Sequence, residues 1–216
     1  MAGCRRTQYA EGTPRPKYRG WLHGIATILT LPPVFLCMCL GLIPAAALPA
    51  IFSICFTLCC SSTLHLYPFD TRGGWEIARR LDRFSILLIN ATSYFSPQLA
   101  HSAACHPPAW MSWATVVLPN VIGGAFILKG VKGPLVFIGA GIAAVPTTLF
   151  WASYDQFLAA LSCMALLLYG AGLALHAMQP AEPAEHWGHH EWTHVLVTAG
   201  MVPNAVAVLH MAWSCE

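Results

Sequence analysis

Residues 156–178 read Gln-Phe-Leu-Ala-Ala-Leu-Ser-Cys-Met-Ala-Leu-Leu-Leu-Tyr-Gly-Ala-Gly-Leu-Ala-Leu-His-Ala-Met, a run without one Asp, Glu, Lys or Arg. A helix needs about 20 predominantly apolar residues to cross the hydrocarbon of a bilayer, since each residue rises only ~1.5 Å. This stretch has that length and composition. Six others of the same kind surround it, over residues 20–43, 46–67, 80–100, 109–128, 133–151 and 189–213. The stretch 133–151 is interrupted by Gly139, Gly141 and Pro146, and its neighbours by charge, Gly and Pro at their ends. The expected fold is all-α: a single seven-transmembrane helix bundle over 20–213 behind a short basic head, 1–19.

Composition points the same way. Of 216 residues, 56% are hydrophobic and 9% charged, whereas soluble domains carry roughly 25% charged residues. A soluble globular domain is therefore excluded. A disordered chain is disfavoured by the apolar content, and a nucleic-acid-binding protein by a net charge of only +2. The expected partners are membrane lipids. No repeat and no low-complexity linker marks a second domain.

The basic residues give an orientation. Arg5, Arg6, Arg15, Lys17 and Arg19 lie in the head, Arg72, Arg79 and Arg80 follow the second span, and Lys129 and Lys132 follow the fourth. The alternate connections, near 44–46, 101–108 and 152–155, have none. The excess of Lys and Arg on one side predicts a cytoplasmic N-terminus and, after seven crossings, an extracytoplasmic C-terminus. The loop 179–188 has Glu182 and Glu185 but no basic residue, and acidic residues weigh little in this rule. The head reads as the flank of a signal-anchor helix. Which membrane holds the multi-pass chain is not encoded. Of the cysteines, Cys37, Cys39, Cys55, Cys59, Cys60 and Cys163 fall inside apolar runs and read as buried free thiols. Only Cys105 and Cys215 fall near span ends on one side, where a bridge between them is conceivable.

An ionisable side chain within a span is costly, so each one is a candidate for function. His65 ends the second span, Asp82 opens the third, and His190 and His194 open the seventh, all at the predicted cytoplasmic end. His190 and His194 are four apart, so a helix sets them on one face about 6 Å apart along its axis. With Glu191 between them they spell His-Glu-x-x-His, in which two imidazoles hold a zinc ion and the Glu acts as base. His65 adds a third nitrogen from another helix, giving three protein ligands and an open position, the catalytic arrangement for Zn²⁺. Ser61 lies one turn before His65 on the same face, and Asp82 lies across a short loop, positioned to take a proton or orient an imidazole. The plainer alternatives are a serine bonded to its own backbone and an aspartate that caps a helix or pairs with Arg79, Arg80 or Arg83. Glu191 stands about 100° from His190 around the helix, which favours Asp82 as the base. His23 and His176, at the cytoplasmic ends of the first and sixth spans, read as interfacial residues without a special role. His101, His106 and His210 fall toward the outer end, and His186 and His189 flank the motif.

These residues resemble the haemolysin III family, the bacterial-type branch of the progestin and adipoQ receptor (adiponectin receptor) group, in a wider superfamily that includes alkaline ceramidases. Trp21-Leu22-His23-Gly24 is similar to the family's Thr-His-Gly, and Ser61-Ser62-Thr63-Leu64-His65 to its Ser-x-x-Tyr-His. Leu81-Asp82-Arg83-Phe84-Ser85 and Asn90-Ala91-Thr92-Ser93-Tyr94-Phe95-Ser96-Pro97 resemble Leu-Asp-His-Ser and Ala-Gly-Ser-Tyr-Thr-Pro. Leu168-Tyr169-Gly170-Ala171-Gly172 is like its Tyr-Thr-x-Gly turn, and His190-Glu191-Trp192-Thr193-His194 matches its closing His-x-x-x-His. The departures are Leu64 for Tyr, Arg83 for His and Thr92 for Gly, none of them at a proposed ligand. The resemblance implies seven helices, zinc on His65, His190 and His194, and Asp82 with Ser61 beside it. The expected activity is zinc-dependent hydrolysis of lipid amide or ester bonds, with a ceramide-like substrate. The alternative is a zinc-stabilised signalling receptor without turnover. A pore-forming haemolysin is disfavoured, because no helix carries a continuous polar stripe to line an aqueous lumen.

Overall fold

In a computed structural model the chain is described at residue 18 and over residues 20–95, 108–131, 135–178 and 189–214. Among the described residues there are seven helical rods and no strand. They are α1 (Trp21–Cys39), α2 (Leu48–Leu66), α3 (Arg72–Phe95), α4 (Ala109–Leu128), α5 (Leu135–Tyr154), α6 (Gln156–Ala177) and α7 (His189–Ser214). Five of them, α1, α2 with the 3₁₀ turn that precedes it, α4, α6 and α7, are long and apolar enough to cross a membrane. The outward side chains fit that solvent: Ile28 is 72% exposed and Leu167 74%, and only lipid makes a continuous coat of such residues favourable. The basic head, the stretch holding Cys105 and His101, the loop 179–188 and Cys215 lie outside the described residues. Cys37, Cys39, Cys55, Cys59, Cys60 and Cys163 are free thiols but not the buried ones expected: Cys39 and Cys163 are exposed and the other four half-buried, because they stand on helix faces turned wholly or partly outward.

Two helices depart from the expected edges for physical reasons. α3 begins eight residues before the predicted start, because Arg72 to Arg79 continue the same helix as a charged extension before the apolar part takes over. α5 runs without a break through Gly139, Gly141 and Pro146, where the sequence reading expected interruptions. α4 absorbs Pro119 differently. Its turn Trp113–Val117 is wound as a π-helix, which accommodates a ring that cannot donate a hydrogen bond and would crowd the carbonyl four residues earlier.

Small residues set the packing. With lipid as solvent, helices gain from close approach rather than from escaping water. Ala47, Ala50, Val116, Ala144, Leu158 and Val208 form a core at one end of the bundle, and Ile54, Leu58, Ile89 and Met201 a second nearer the middle. A Cβ on Gly200 would fall 2.7 Å from the Tyr169 ring, and one on Gly172 would press on Val197 and Leu196, so glycine permits the close α6–α7 contact. Interhelical hydrogen bonds add to it: Asn204 Nδ2 donates to Ser93 Oγ at 2.8 Å, Asn90 Nδ2 to Asn120 Oδ1 at 3.2 Å, and Thr57 Oγ1 to the Ser85 carbonyl at 3.1 Å.

At the end opposite His65 of α2, Asp155 joins α6 to α7. One carboxylate oxygen accepts from the amides of Phe157 and Leu158 at 2.8 and 3.1 Å, capping α6, and the other lies 2.8 Å from His210 Nε2 on α7. The His210 hydrogen bond and then the amides hold this carboxyl below the usual carboxylate range. Its contribution to stability is therefore complete above the unfolded value near ~4 and is lost as pH falls through the lower folded value. Asp155→Ala is expected to lower the thermal midpoint at neutral pH by about 2–4 °C, the equivalent of a lost cap. In a pH series of melts in detergent, the gap between parent and variant narrows below about pH 4; a gap independent of pH would contradict this assignment.

Candidate metal centre

The last turn of α2 and the first turns of α7 meet at one end of the bundle. On α2, Ser61, Leu64 and His65 face inward and are buried; on α7 the four-residue spacing brings His190 and His194 onto one face. His190 Nε2 lies 3.4 Å from His65 Nε2 and 2.6 Å from His194 Nε2, and one nitrogen of each of the three falls within 4.8 Å of the others. Two close-packed elements make this meeting specific. Gly20, with φ +85°, turns the chain into α1 where a Cβ would lie 2.5 Å from His65 Cβ, so only glycine lets that end of α1 close over the imidazole.

His23, on the first turn of α1, is part of the same layer. Its Nε2 meets His194 Nδ1 at 2.5 Å, and the two rings are edge-on with centroids 4.3 Å apart. His176, at the end of α6, brings its ring to 6.0 Å from that of His190. The sequence reading gave both residues no special role, although it put them at the same depth as His65, His190 and His194. Depth alone was the available signal, together with the Trp21-Leu22-His23-Gly24 motif. The side-to-side contacts that recruit them depend on which faces of α1 and α6 turn inward.

The donor set suits a transition-metal cation. Three neutral imidazoles from two helices leave a coordination position open, and imidazole nitrogen is a preferred zinc ligand. Tetrahedral zinc with Zn–N near 2.0–2.1 Å spaces its nitrogens ~3.3 Å apart, close to the His65–His190 separation. The His190–His194 pair would open by about 0.7 Å to reach that value, which a small ring rotation supplies. A ligand using His194 Nε2 keeps its proton on Nδ1, where His23 Nε2 stands to accept it. Such outer hydrogen bonds fix the tautomer and direction of a metal-binding imidazole.

Asp82 and Ser61 lie together and are not among the clustered ligands. The Asp82 carboxyl, on α3, faces Ser61 and Cys60 of α2 and neighbours Arg83. Ser61 Oγ is buried and does not bond its own backbone, as serines in apolar helices commonly do; its hydroxyl is turned to the Asp82 carboxyl. Glu191 is buried, at 3% exposure, in the first turn of α7, and is not among the three clustered ligand atoms. His210 belongs to the Asp155 pair at the far end; His101, His106 and His186 lie outside the described residues.

The sequence matches the family described as Haemolysin-III related over residues 12–204. The chain belongs to that family. The match covers six of the seven helices in full, together with the first part of α7 that carries His190 and His194, and the family includes adiponectin receptor-like proteins. No curated protein matches the chain.

For this haemolysin III-related chain the metal question is direct. Purified parent protein is expected to bind one metal ion per chain, and His65→Ala or His194→Ala to abolish it. His23→Ala should keep the stoichiometry but weaken affinity about 10- to 100-fold, as loss of an orienting partner does. Metal content by mass spectrometry with a chelator titration decides the matter; stoichiometry unaffected by His65→Ala and His194→Ala would remove the site.

Proposed function

We propose that the protein is a zinc-dependent membrane hydrolase of lipid amide or ester bonds, acting on a ceramide-like substrate. In this reading seven helices cross the bilayer, with the N-terminus cytoplasmic, the C-terminus extracytoplasmic and the histidine layer near the cytoplasmic face. The single observation that carries it is the convergence of His65, His190 and His194, with the Ser61 hydroxyl, one turn before His65, turned to the Asp82 carboxyl. Five apolar helices and family membership support the membrane setting.

Zinc in such a site supplies Lewis acidity toward a carbonyl and brings water to a pKa of ~7. The rest falls to the chain. His65, His190 and His194 hold the ion, and His23 fixes the direction of His194. The Asp82 carboxylate takes the proton released as water adds to the lipid carbonyl and returns it to the leaving amine or alcohol. Ser61 Oγ donates to that carboxylate and keeps it aimed, a positioning role. The apolar helix faces accept the acyl chain and keep bulk water away, which strengthens each polar contact at the reacting carbonyl.

A second reading rests on a different aspect of the same geometry. The imidazoles draw α1, α2, α6 and α7 together at one end, so the metal would also serve as a clamp whose strain passes between helices, as in a receptor without turnover. Fatty-acid release from ceramides and from lipid esters, measured on purified protein, separates the two. The hydrolase reading expects release by the parent, a loss of 10²- to 10⁴-fold in Asp82→Asn with metal retained, and a smaller loss in Ser61→Ala. Release that survives both Asp82→Asn and His194→Ala would exclude it. A ligand-dependent conformational signal without turnover would favour the receptor.

A further inference from the structure

The first turns of α3 carry a second concentration of charge. Glu76, Arg79, Arg80 and Arg83 recur at helical spacing and so share one face. With Ile127, Gly130 and Val131 at the end of α4 they line a cleft of about 170 Å³, room for roughly six waters. Its charge is unbalanced, with three guanidinium groups against one carboxylate.

The three arginines are not equivalent. Arg79 is satisfied: its Nη2 lies 2.7 Å from Glu76 Oε2 and its guanidinium stacks 4.5 Å from the Trp75 ring. Arg80 reaches across to α4, where Nη1 donates to the Leu128 carbonyl at 2.9 Å, yet its Nε is buried without an acceptor. Gly130, turning with φ +86°, leaves the space that Arg80 occupies; a Cβ there would come within 3.1 Å of Nη2. Arg83 is half-buried and makes no ion pair, its neighbours Asp82 and Glu76 acting on it only from a distance. A buried, unmatched guanidinium N–H such as Arg80 Nε is costly, and with the half-buried Arg83 beside the same cleft it calls for an anion with several oxygens. The planar fork of arginine suits phosphate.

We infer that the α3–α4 cleft binds the phosphate group of an anionic phospholipid through Arg80 and Arg83. Lipid rather than free phosphate follows from the cleft's position. It opens where α3 passes from its charged extension into its apolar part, and Ile77 (61% exposed) and Val131 (45%) stand at this level as apolar surface for acyl chains. Lys129 next to the cleft adds to the positive field at the headgroup layer.

The test uses full-length protein in nanodiscs of phosphatidylcholine, with and without phosphatidylglycerol, reading the thermal midpoint and the lipid retained in native mass spectrometry. Phosphatidylglycerol is expected to raise the midpoint of the parent and to be retained. Arg83→Gln, which has no ion pair to lose, should raise the mole fraction for half-saturation about tenfold or more, and Arg80→Gln with Arg83→Gln should abolish the shift while metal content stays at the parent level. Arg72→Gln, on α3 but outside the cleft, should behave as the parent. Inorganic phosphate added to phosphatidylcholine discs should give no shift. The inference is overturned by a shift of equal size in Arg83→Gln and Arg72→Gln, which is general surface charge, by an equal shift from inorganic phosphate, or by none in the parent.

Discussion

The contact on which the described architecture turns is made between imidazoles. His65 and His190 are 125 residues apart in the chain, and nothing apolar would bring the end of α2 to the start of α7 with that specificity, because lipid solvates an apolar helix face as well as another helix does. Polar groups in a low-dielectric setting behave differently. Each ring nitrogen withdrawn from water must find a partner, and the partners within reach are other ring nitrogens and any cation they share. His23 and His176 join for the same reason, and with them α1 and α6 are tied to the layer. Gly20 and Gly172 make room for this convergence, at the start of α1 and between α6 and α7.

The opposite end relies on different chemistry. There the helices approach through Ala47, Ala50, Val116, Leu158 and Val208, and a single carboxylate, Asp155, connects the start of α6 to His210 of α7. The α6–α7 pair is thus fixed at both ends by histidine, by a carboxylate at one end and by other imidazoles at the other. Between them the Tyr169 ring lies over Gly200. A change at the histidine layer has a direct route along these two helices, since neither can slide without breaking a polar contact at one end.

How much of this was readable from the chain depends on the kind of signal. The helices were, because apolar runs such as 156–178 admit one structure in lipid. So were His65, His190 and His194 as neighbours, since spacing on α7 and depth on α2 fix their positions. The start of α3 was not: a hydropathy reading sees where the apolar run begins, and α3 extends before it as a charged, amphipathic stretch from Arg72. Nor were His23 and His176, which depth placed correctly but rotation about the α1 and α6 axes brought into contact. Rotation is weakly encoded in these helices, whose apolar residues run all the way round.

α3 shows why the scarce charges occupy consecutive positions. Successive residues on a helix are turned about 100° from each other. Asp82 therefore faces Ser61 and Cys60 on α2, while Arg83 looks toward α4 and the cleft shared with Arg79 and Arg80. Had the two paired with each other, the carboxyl would be held as half of an ion pair and the guanidinium would have no need of an anion. Kept apart, each remains available to a different neighbour. The helix with the fewest credentials for crossing a membrane is in this way the one whose charges serve two faces of the bundle. The constraint that makes charge rare in the chain also makes the direction of each charge informative, because a misdirected one would cost more here than in water.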